Sequence, residues 1–190
     1  MNHFYEMREG PTSPSIHIGL DYDLDDVVDP FRVDNPGDVN DEWLCKFSYT
    51  VKGNLALDTL TNDVGWFIVS TKLSNLLVTN CKNRLDLNLI QFPEKITGSI
   101  KLLKDYRILG LNRTCACIDK QNTDAKWSKP DAKYAETIYT GYILQDKVPL
   151  SLDIFRLEES PAIMIVRENI YKAIVNAKVT GIDWRPFYTI

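Results

Sequence analysis

The last thirty residues contain a strand–helix–strand pattern that constrains the fold more than any other part of the chain. Residues 162–166 form a short apolar run with β-branched side chains, which is typical of a buried strand. A stripe of apolar residues at helical spacing follows, and Thr180-Gly181 is expected to end this helix. The stripe consists of Ile170, Ala173, Ile174 and Ala177. Residues 182–186 alternate like a half-buried strand that its proline closes.

The same order of elements occurs once earlier. Residues 67–69 are the apolar run, Leu73, Leu76 and Leu77 form the stripe, and residues 87–93 are a closing strand that also ends in proline. Placing Ile68 over Ile165 aligns the helices, and residues 81–84 then have no counterpart. A duplication and a chance likeness both explain this pattern. The sequence predicts an α+β fold: a mixed, mostly antiparallel sheet, a few short helices and two related strand–helix–strand units.

Length and composition favour one globular domain. A chain of 190 residues with 44% hydrophobic and 11% aromatic residues can bury a core. It contains no apolar run of transmembrane length, and its first nine residues lack an apolar signal core, so we expect a cytoplasmic protein. The four cysteines are then expected to be free thiols, with Cys115 and Cys117 on one face of a strand and packed in the core.

An acidic segment is the most distinctive chemical feature. Residues 21–42 carry nine carboxylates against Arg32 alone. A calcium loop is disfavoured because Asp26 stands at its glycine position and Arg32 at its glutamate position. The segment is either a solvated loop or a recognition surface for a basic partner, with Trp43 as an anchor or a core residue. The candidate partner-binding residues are Asp21, Tyr22, Asp23, Asp25, Asp26, Phe31, Asp34 and Asp38.

No catalytic constellation stands out in the sequence. The two histidines, His3 and His17, lie in a region expected to be irregular, where a rigid site is hard to build. Phosphate-binding, nucleophile-elbow and zinc motifs are missing, so we predict neither a cofactor nor a metal. A net charge of −4 argues against a nucleic-acid partner. An enzyme with a carboxylate site remains an alternative, although no spacing selects a pair.

The remaining segments complete the expected layout. Residues 1–60 are predicted to form an irregular acidic region packed on the core, and residues 61–190 the α+β domain. Within the first region, residues 15–19 and 43–51 are the candidate strands. Residues 119–131 are expected to be a loop and residues 134–144 to be strand-prone. Residues 154–157 are predicted to pair with the strand around Met164 as a hairpin.

Several of these pieces resemble the immunity protein 11 family of bacterial polymorphic toxin systems. The resemblance rests on residues 68–70 with the following helix, the Tyr106 strand, residues 154–157, and the C-terminal unit with Thr180-Gly181 and Trp184. It implies a cytoplasmic protein that binds and neutralises a cognate toxin domain. We further expect no catalysis, no membrane contact, and a monomer or weak homodimer. A structural or scaffold domain is the alternative. Arg167 stands where the family shows a serine, so Glu168 or Asn169 is expected to cap that helix.

Overall fold

The computed structural model describes residues 3–10, 16–21, 39–129 and 133–190. Fourteen strands and four α-helices occur in these ranges. They form two six-stranded sheets and a separate hairpin, and three of the strand pairs are parallel while the others are antiparallel. The predicted α+β class is therefore confirmed. None of the helices in these ranges is long and apolar enough to span a bilayer.

The elements are named in chain order. The strands are β1 (Phe4–Glu9), β2 (His17–Asp21), β3 (Ser48–Lys52), β4 (Thr59–Asn62), β5 (Phe67–Ser70), β6 (Leu87–Gln91), β7 (Tyr106–Leu111), β8 (Thr114–Cys115), β9 (Asp124–Trp127), β10 (Ala135–Thr140), β11 (Tyr142–Ile143), β12 (Ile154–Leu157), β13 (Ser160–Arg167) and β14 (Ile182–Thr189). The helices are α1 (Asp41–Leu44), α2 (Thr71–Asn80), α3 (Glu94–Ser99) and α4 (Glu168–Asn176). The first sheet has the order β3-β2-β4-β5-β7-β6, and the second has the order β11-β14-β1-β13-β12-β8.

Both strand–helix–strand units are present, and an antiparallel strand from elsewhere in the chain splits each of them. In the first unit β7 lies between β5 and β6, and in the second β1 lies between β13 and β14. The registers correspond, because Tyr106 lies opposite Ser70 as Phe4 lies opposite Arg167. Strand β1 corrects the expectation that the first residues are irregular. Its apolar pattern is short, and its partners are more than 150 residues away in the sequence.

The pairing of the closing strands corrects the sequence alignment of the two units. Leu89 lies opposite Leu109 in the first unit, and Trp184 lies opposite Met7 at the equivalent place in the second. The chain from Ser70 to Leu89 is two residues longer than the chain from Arg167 to Trp184, so the first unit has two extra residues in its loop and not four. The two prolines are not equivalent. Pro93 precedes α3, whereas Pro186 lies inside β14, which continues to Thr189. Because β11 pairs only with the end of β14, no strand in the described residues requires an amide hydrogen from Pro186 on that side.

The helices of the two units pack against each other and share one hydrophobic cluster with residues of both sheets. Leu73 and Leu77 of α2 are fully buried, and Ile170 and Ile174 occupy the corresponding places on α4. These four positions confirm the predicted stripes. Each such side chain contributes about 2 kcal/mol to folding through burial.

A half-buried carboxylate joins the two units. Ser70 caps α2 as its position predicts, because its Oγ accepts the N–H of Leu73 at 3.1 Å. The same hydroxyl donates to Asp58 at 2.7 Å, and Asp58 also accepts the backbone N–H of Thr180 at 2.9 Å. Burial raises the pKa of Asp58, but these hydrogen bonds outweigh it and leave the pKa below its ordinary value. Asp58 therefore ties the start of α2 to the loop after α4.

The start of α4 corrects the expectation about its cap. The helix begins at Glu168 without a side-chain cap, and the carbonyl of His3 accepts the Glu168 N–H at 2.9 Å. The Glu168 side chain instead pairs with Lys172 at 2.8 Å. Asn169 donates to Asp153 at 3.5 Å, so neither residue replaces the missing serine. The N-terminal chain itself satisfies this helix end.

Four local expectations were wrong. Residues 41–44 form α1 and not the start of a strand, because Asn40 accepts the N–H of Trp43 at 2.8 Å and begins a helical turn. The predicted loop at residues 119–131 contains β9, which β10 pairs with in antiparallel fashion. Helix α4 ends at Asn176, before Thr180-Gly181, and Lys178 adopts the left-handed conformation with φ 52°. Strand β14 does not close at Pro186, as shown above.

Other expectations were met. Strands β12 and β13 form the predicted hairpin, with Arg156 opposite Met164. The strand-prone segment contains β10 and β11. Residue 60, the predicted boundary between the acidic region and the α+β domain, lies in β4, so both parts contribute strands to the first sheet. The division itself stays a prediction.

Candidate partner-binding surfaces

The structure describes one residue of the predicted acidic site. Asp21 is the last residue of β2, lies opposite Ser48 of β3 and is exposed. The other predicted residues, Tyr22, Asp23, Asp25, Asp26, Phe31, Asp34 and Asp38, lie outside the described residues. At the other end of the acidic segment, Asp41 and Glu42 occupy the exposed first turn of α1.

Elements that are packed in one hydrophobic cluster hold both ends of this segment. Ile18 and Leu20 of β2 and Leu44 of α1 are buried together with Trp43. The Trp43 ring lies 5.0 Å from that of Phe47 and is 5% exposed, so its interpretation as a core residue is confirmed and it is no exposed anchor. The chain therefore enters and leaves the acidic segment at two points that are fixed in the same hydrophobic cluster.

The charge of the chain is strongly divided. Residues 21–42 contain nine of the 26 acidic residues and one of the 22 basic residues, so this segment carries −8 and the rest of the chain +4. The acidity of the protein therefore belongs to one segment and not to the whole surface. Such a concentrated charge accelerates association with an oppositely charged partner.

A second candidate surface is aromatic and lies at the edge of the second sheet. Tyr142 and Tyr188 are paired across β11 and β14, and their rings stack with centroids 5.2 Å apart. Tyr188 is 52% exposed. Tyr139, on the preceding strand of the chain, β10, is 58% exposed, and β10 pairs with β9. Exposed tyrosines are common in protein interfaces. Sequence reasoning missed this surface, because the residues meet only through the pairing of β11 with β14.

His17 lies in a rigid arrangement, contrary to expectation. Its Nδ1 lies 3.0 Å from Oγ1 of Thr61, and its Nε2 lies 2.7 Å from Oδ1 of Asp63. The hydrogen bond from His17 and that from the N–H of Leu20 lower the pKa of Asp63. The order hydroxyl, imidazole, carboxylate is that of nucleophilic catalysis. However, Thr61 is 6% exposed, so a substrate has no access to its hydroxyl, and we assign the group to joining β2 and β4.

The cysteines are free thiols, as predicted. Cys115 and Cys117 are both buried in the hydrophobic cluster beneath the second sheet, which confirms the core interpretation. Their mutual hydrogen bond lowers the pKa of the Cys115 thiol and, together with burial, raises that of Cys117. In the described ranges no three His, Cys, Asp or Glu side chains are grouped to hold a metal ion.

Glu9, at the end of β1, is a half-buried acid with one enclosed carboxylate oxygen. Its Oε1 is enclosed and has no hydrogen-bond partner among the described residues. Burial raises the pKa of Glu9 to about 7. The side chain lies in a cavity of about 300 Å³ between the two sheets, which Phe67 and Met164 also line. In the folded protein Glu9 therefore keeps its proton at pH values at which the unfolded chain has already released it.

We expect Glu9→Gln to stabilise the protein at pH 8 by about 2 kcal/mol and to have little effect near pH 4.5. The folded pKa lies above the unfolded one, so the contribution of Glu9 to stability is fully present below the unfolded value and is lost as the pH rises through about 7. Urea unfolding at both pH values measures this difference. Glu136→Gln, at an exposed site, is the matched control. An equal effect of Glu9→Gln at both pH values would contradict the assignment.

A concentrated charge and exposed tyrosines are common features of proteins that bind other macromolecules. Comparison with protein families matches residues 35–189 to the Immunity protein family (Imm11), and the chain therefore belongs to this family. The family assigns it an immunity function and a toxin protein as its partner. A search of curated proteins found no match. Of the predicted site residues, Asp38 alone lies within the matched range.

Proposed function

We propose that this immunity protein binds a cognate bacterial toxin domain and neutralises it by covering its active surface. The family membership carries this proposal, and the exposed surfaces support it. Occlusion requires complementarity and no bond chemistry, so the protein would need no cofactor. We place it in the cytoplasm, as a monomer or weak homodimer. Expression of the toxin domain encoded beside this gene, with and without this protein, tests the function. Cell death that this protein does not prevent would refute it.

The acidic segment supports a specific role in recognition. With a charge of −8 between two anchored ends, it would meet a basic toxin surface such as the active site of an enzyme that acts on nucleic acid. Long-range attraction raises association rates by one or more orders of magnitude. Fast capture matters because the free toxin is lethal to the producing cell. The proposed contact residues are Asp21, Tyr22, Asp23, Asp25, Asp26, Phe31, Asp34 and Asp38.

Charge reversal tests this role. We expect the triple substitution of Asp23, Asp25 and Asp26 by Lys to slow association with the toxin domain about 10-fold or more at low salt, and to flatten the salt dependence of the rate. Stopped-flow binding at several ionic strengths measures both effects. The control variant replaces Glu94, Asp105 and Asp124 by Lys. These three residues are exposed on other elements, and the net charge changes by the same amount. An equal loss of rate in both variants would assign the effect to net charge and not to this segment.

A further inference from the structure

Two leucine side chains are largely exposed to solvent although the backbone around them is held by hydrogen bonds. Leu85, in the turn between α2 and β6, is 81% exposed, and Leu150, in the turn before β12, is 76% exposed. They are the most exposed large hydrophobic side chains in the described part of the chain. A single exposed leucine needs no explanation. These two differ because the backbone around each of them is held in place.

The turn that carries Leu85 is held by side-chain hydrogen bonds. Asn83 Oδ1 accepts the N–H of Leu85 at 3.2 Å, and Asn112 Nδ2 donates to the Leu85 carbonyl at 2.8 Å. The next residue, Asp86, is buried and accepts hydrogen bonds from Asn83 at 2.9 Å and from Arg113 at 3.2 Å. The backbone of Leu85 is therefore satisfied on both sides, and its side chain is held toward solvent.

Hydrogen bonds from Lys82 and Arg167 hold the turn that carries Leu150. Lys82 Nζ donates to the Leu150 carbonyl at 2.8 Å, and the backbone N–H of Lys82 donates to the buried Asp153 at 2.7 Å. Arg167 Nη2 donates to the carbonyl of Pro149 at 2.8 Å. Lys82 thus joins the two turns directly. We call residues 82–86 and 148–150 together the two-leucine surface.

The shape of this surface suits a partner with recesses. Leu150 stands between two depressions of about 370 and 620 Å³. Ile190, which is 57% exposed, lines the second depression. A projecting leucine with a further apolar side chain nearby offers hydrophobic area that binding would remove from water.

The charge around the surface is basic. Its exposed cations, which lie in the two turns or beside them, are Lys82, Arg84, Arg113, Lys147 and Lys172. The acids that hold the turns, Asp86 and Asp153, are buried. Asp146 is the exposed acid closest in sequence to Leu150, and the half-buried Glu168, which lines the first depression, pairs with Lys172 at 2.8 Å. The five exposed cations outnumber these two acids. The surface therefore fits a protein whose apolar recesses have an acidic rim.

We propose that the two-leucine surface is a second docking site for the toxin domain, in which Leu85 and Leu150 enter apolar recesses on an acidic-rimmed face of the toxin. This inference rests on the proposed function. A second copy of this chain is a poorer occupant, since a symmetric contact would set one basic rim against another. Nucleic acid is also a poorer occupant, because the centre of the surface is apolar.

The test is binding of the purified toxin domain encoded beside this gene. We expect Leu85→Ala and Leu150→Ala each to weaken the Kd about 10-fold, and the double variant about 100-fold. Both side chains are exposed, so thermal unfolding of the variants should match that of the wild type. The matched control is Leu55→Ala with Val175→Ala, at sites 45% and 44% exposed, and it should leave the Kd within about twofold.

The outcomes separate this inference from the proposed function. A wild-type protein that does not bind the toxin domain overturns both. Wild-type binding that the double variant retains overturns the two-leucine surface alone. Size-exclusion chromatography of the protein without toxin is the third arm. A wild-type dimer that the double variant dissociates would assign the surface to self-association and overturn its assignment to the toxin.

Discussion

Leu77→Ala is expected to lower the free energy of unfolding by about 3 kcal/mol. Leu77 is fully buried where α2 packs against α4, in the cluster that joins the two units. Truncation removes transfer energy and leaves a cavity that the neighbouring sheets cannot close, because strand pairing holds them. Equilibrium unfolding in urea, with the slope compared to that of the wild type, measures the loss.

The design includes a control on the same helix and a test of coupling. Leu76→Ala makes the same chemical change one position away, at a half-buried site outside this cluster, and should cost less than about 1 kcal/mol. Ile174→Ala on α4 should cost about as much as Leu77→Ala. The double variant is expected to be coupled by about 1 kcal/mol because both side chains belong to one packed cluster. Strict additivity, or equal costs at Leu76 and Leu77, would contradict this packing.

Arg167→Met is expected to destabilise the protein by about 3 kcal/mol, although methionine preserves much of the packing volume. The Arg167 guanidinium is buried and donates to the carbonyls of Leu152 at 2.7 Å, Pro149 at 2.8 Å and Val148 at 3.2 Å. It also lies 4.9 Å from the ring centroid of Phe4. Without the arginine, these carbonyls lose their donors in a site that water does not readily reach. Urea unfolding measures the difference.

Two further variants separate geometry from charge at this position. Arg167→Lys keeps the charge but should recover less than half of the loss, because a single ammonium group does not reproduce the planar fork of donors. Arg8→Met removes an exposed arginine that pairs with Asp183 and should cost less than about 1 kcal/mol. If Arg167→Met were as mild as Arg8→Met, the turn at residues 148–152 would not depend on this arginine.

Local pattern was sufficient to predict the two units. The runs at residues 67–69 and 162–166 and the stripes on α2 and α4 lie within short stretches of chain, where apolar periodicity reflects burial directly. Strand β1 was missed because its role depends on pairing with β13 and β14. Proline was misleading in β14, since the consequence of a proline depends on which side of the strand has a neighbour.

Of the candidate surfaces, too, one could be predicted from local sequence and another could not. The acidic segment was predicted from composition alone, because nine carboxylates within 22 residues are a local feature of the sequence. The two-leucine surface was not found. A leucine in a sequence normally indicates a core position, and Leu85 is exposed only because Asn83 and Asn112 hold its backbone. Arg167 was seen as a missing cap, whereas its role is to hold a turn that precedes it by fifteen residues or more.

Reading the sequence alone predicts the fold class, the two strand–helix–strand units, the free thiols in the core, the acidic segment and the resemblance that the family match confirms. These follow from local periodicity and from composition, which do not depend on distant partners. The three-dimensional structure was needed to show that β1 and β7 complete the two units, that Asp58 and the paired helices join them, and that two leucines face solvent. Each of these depends on hydrogen bonds or packing between residues far apart in the chain, and single-sequence patterns carry no information on such partners.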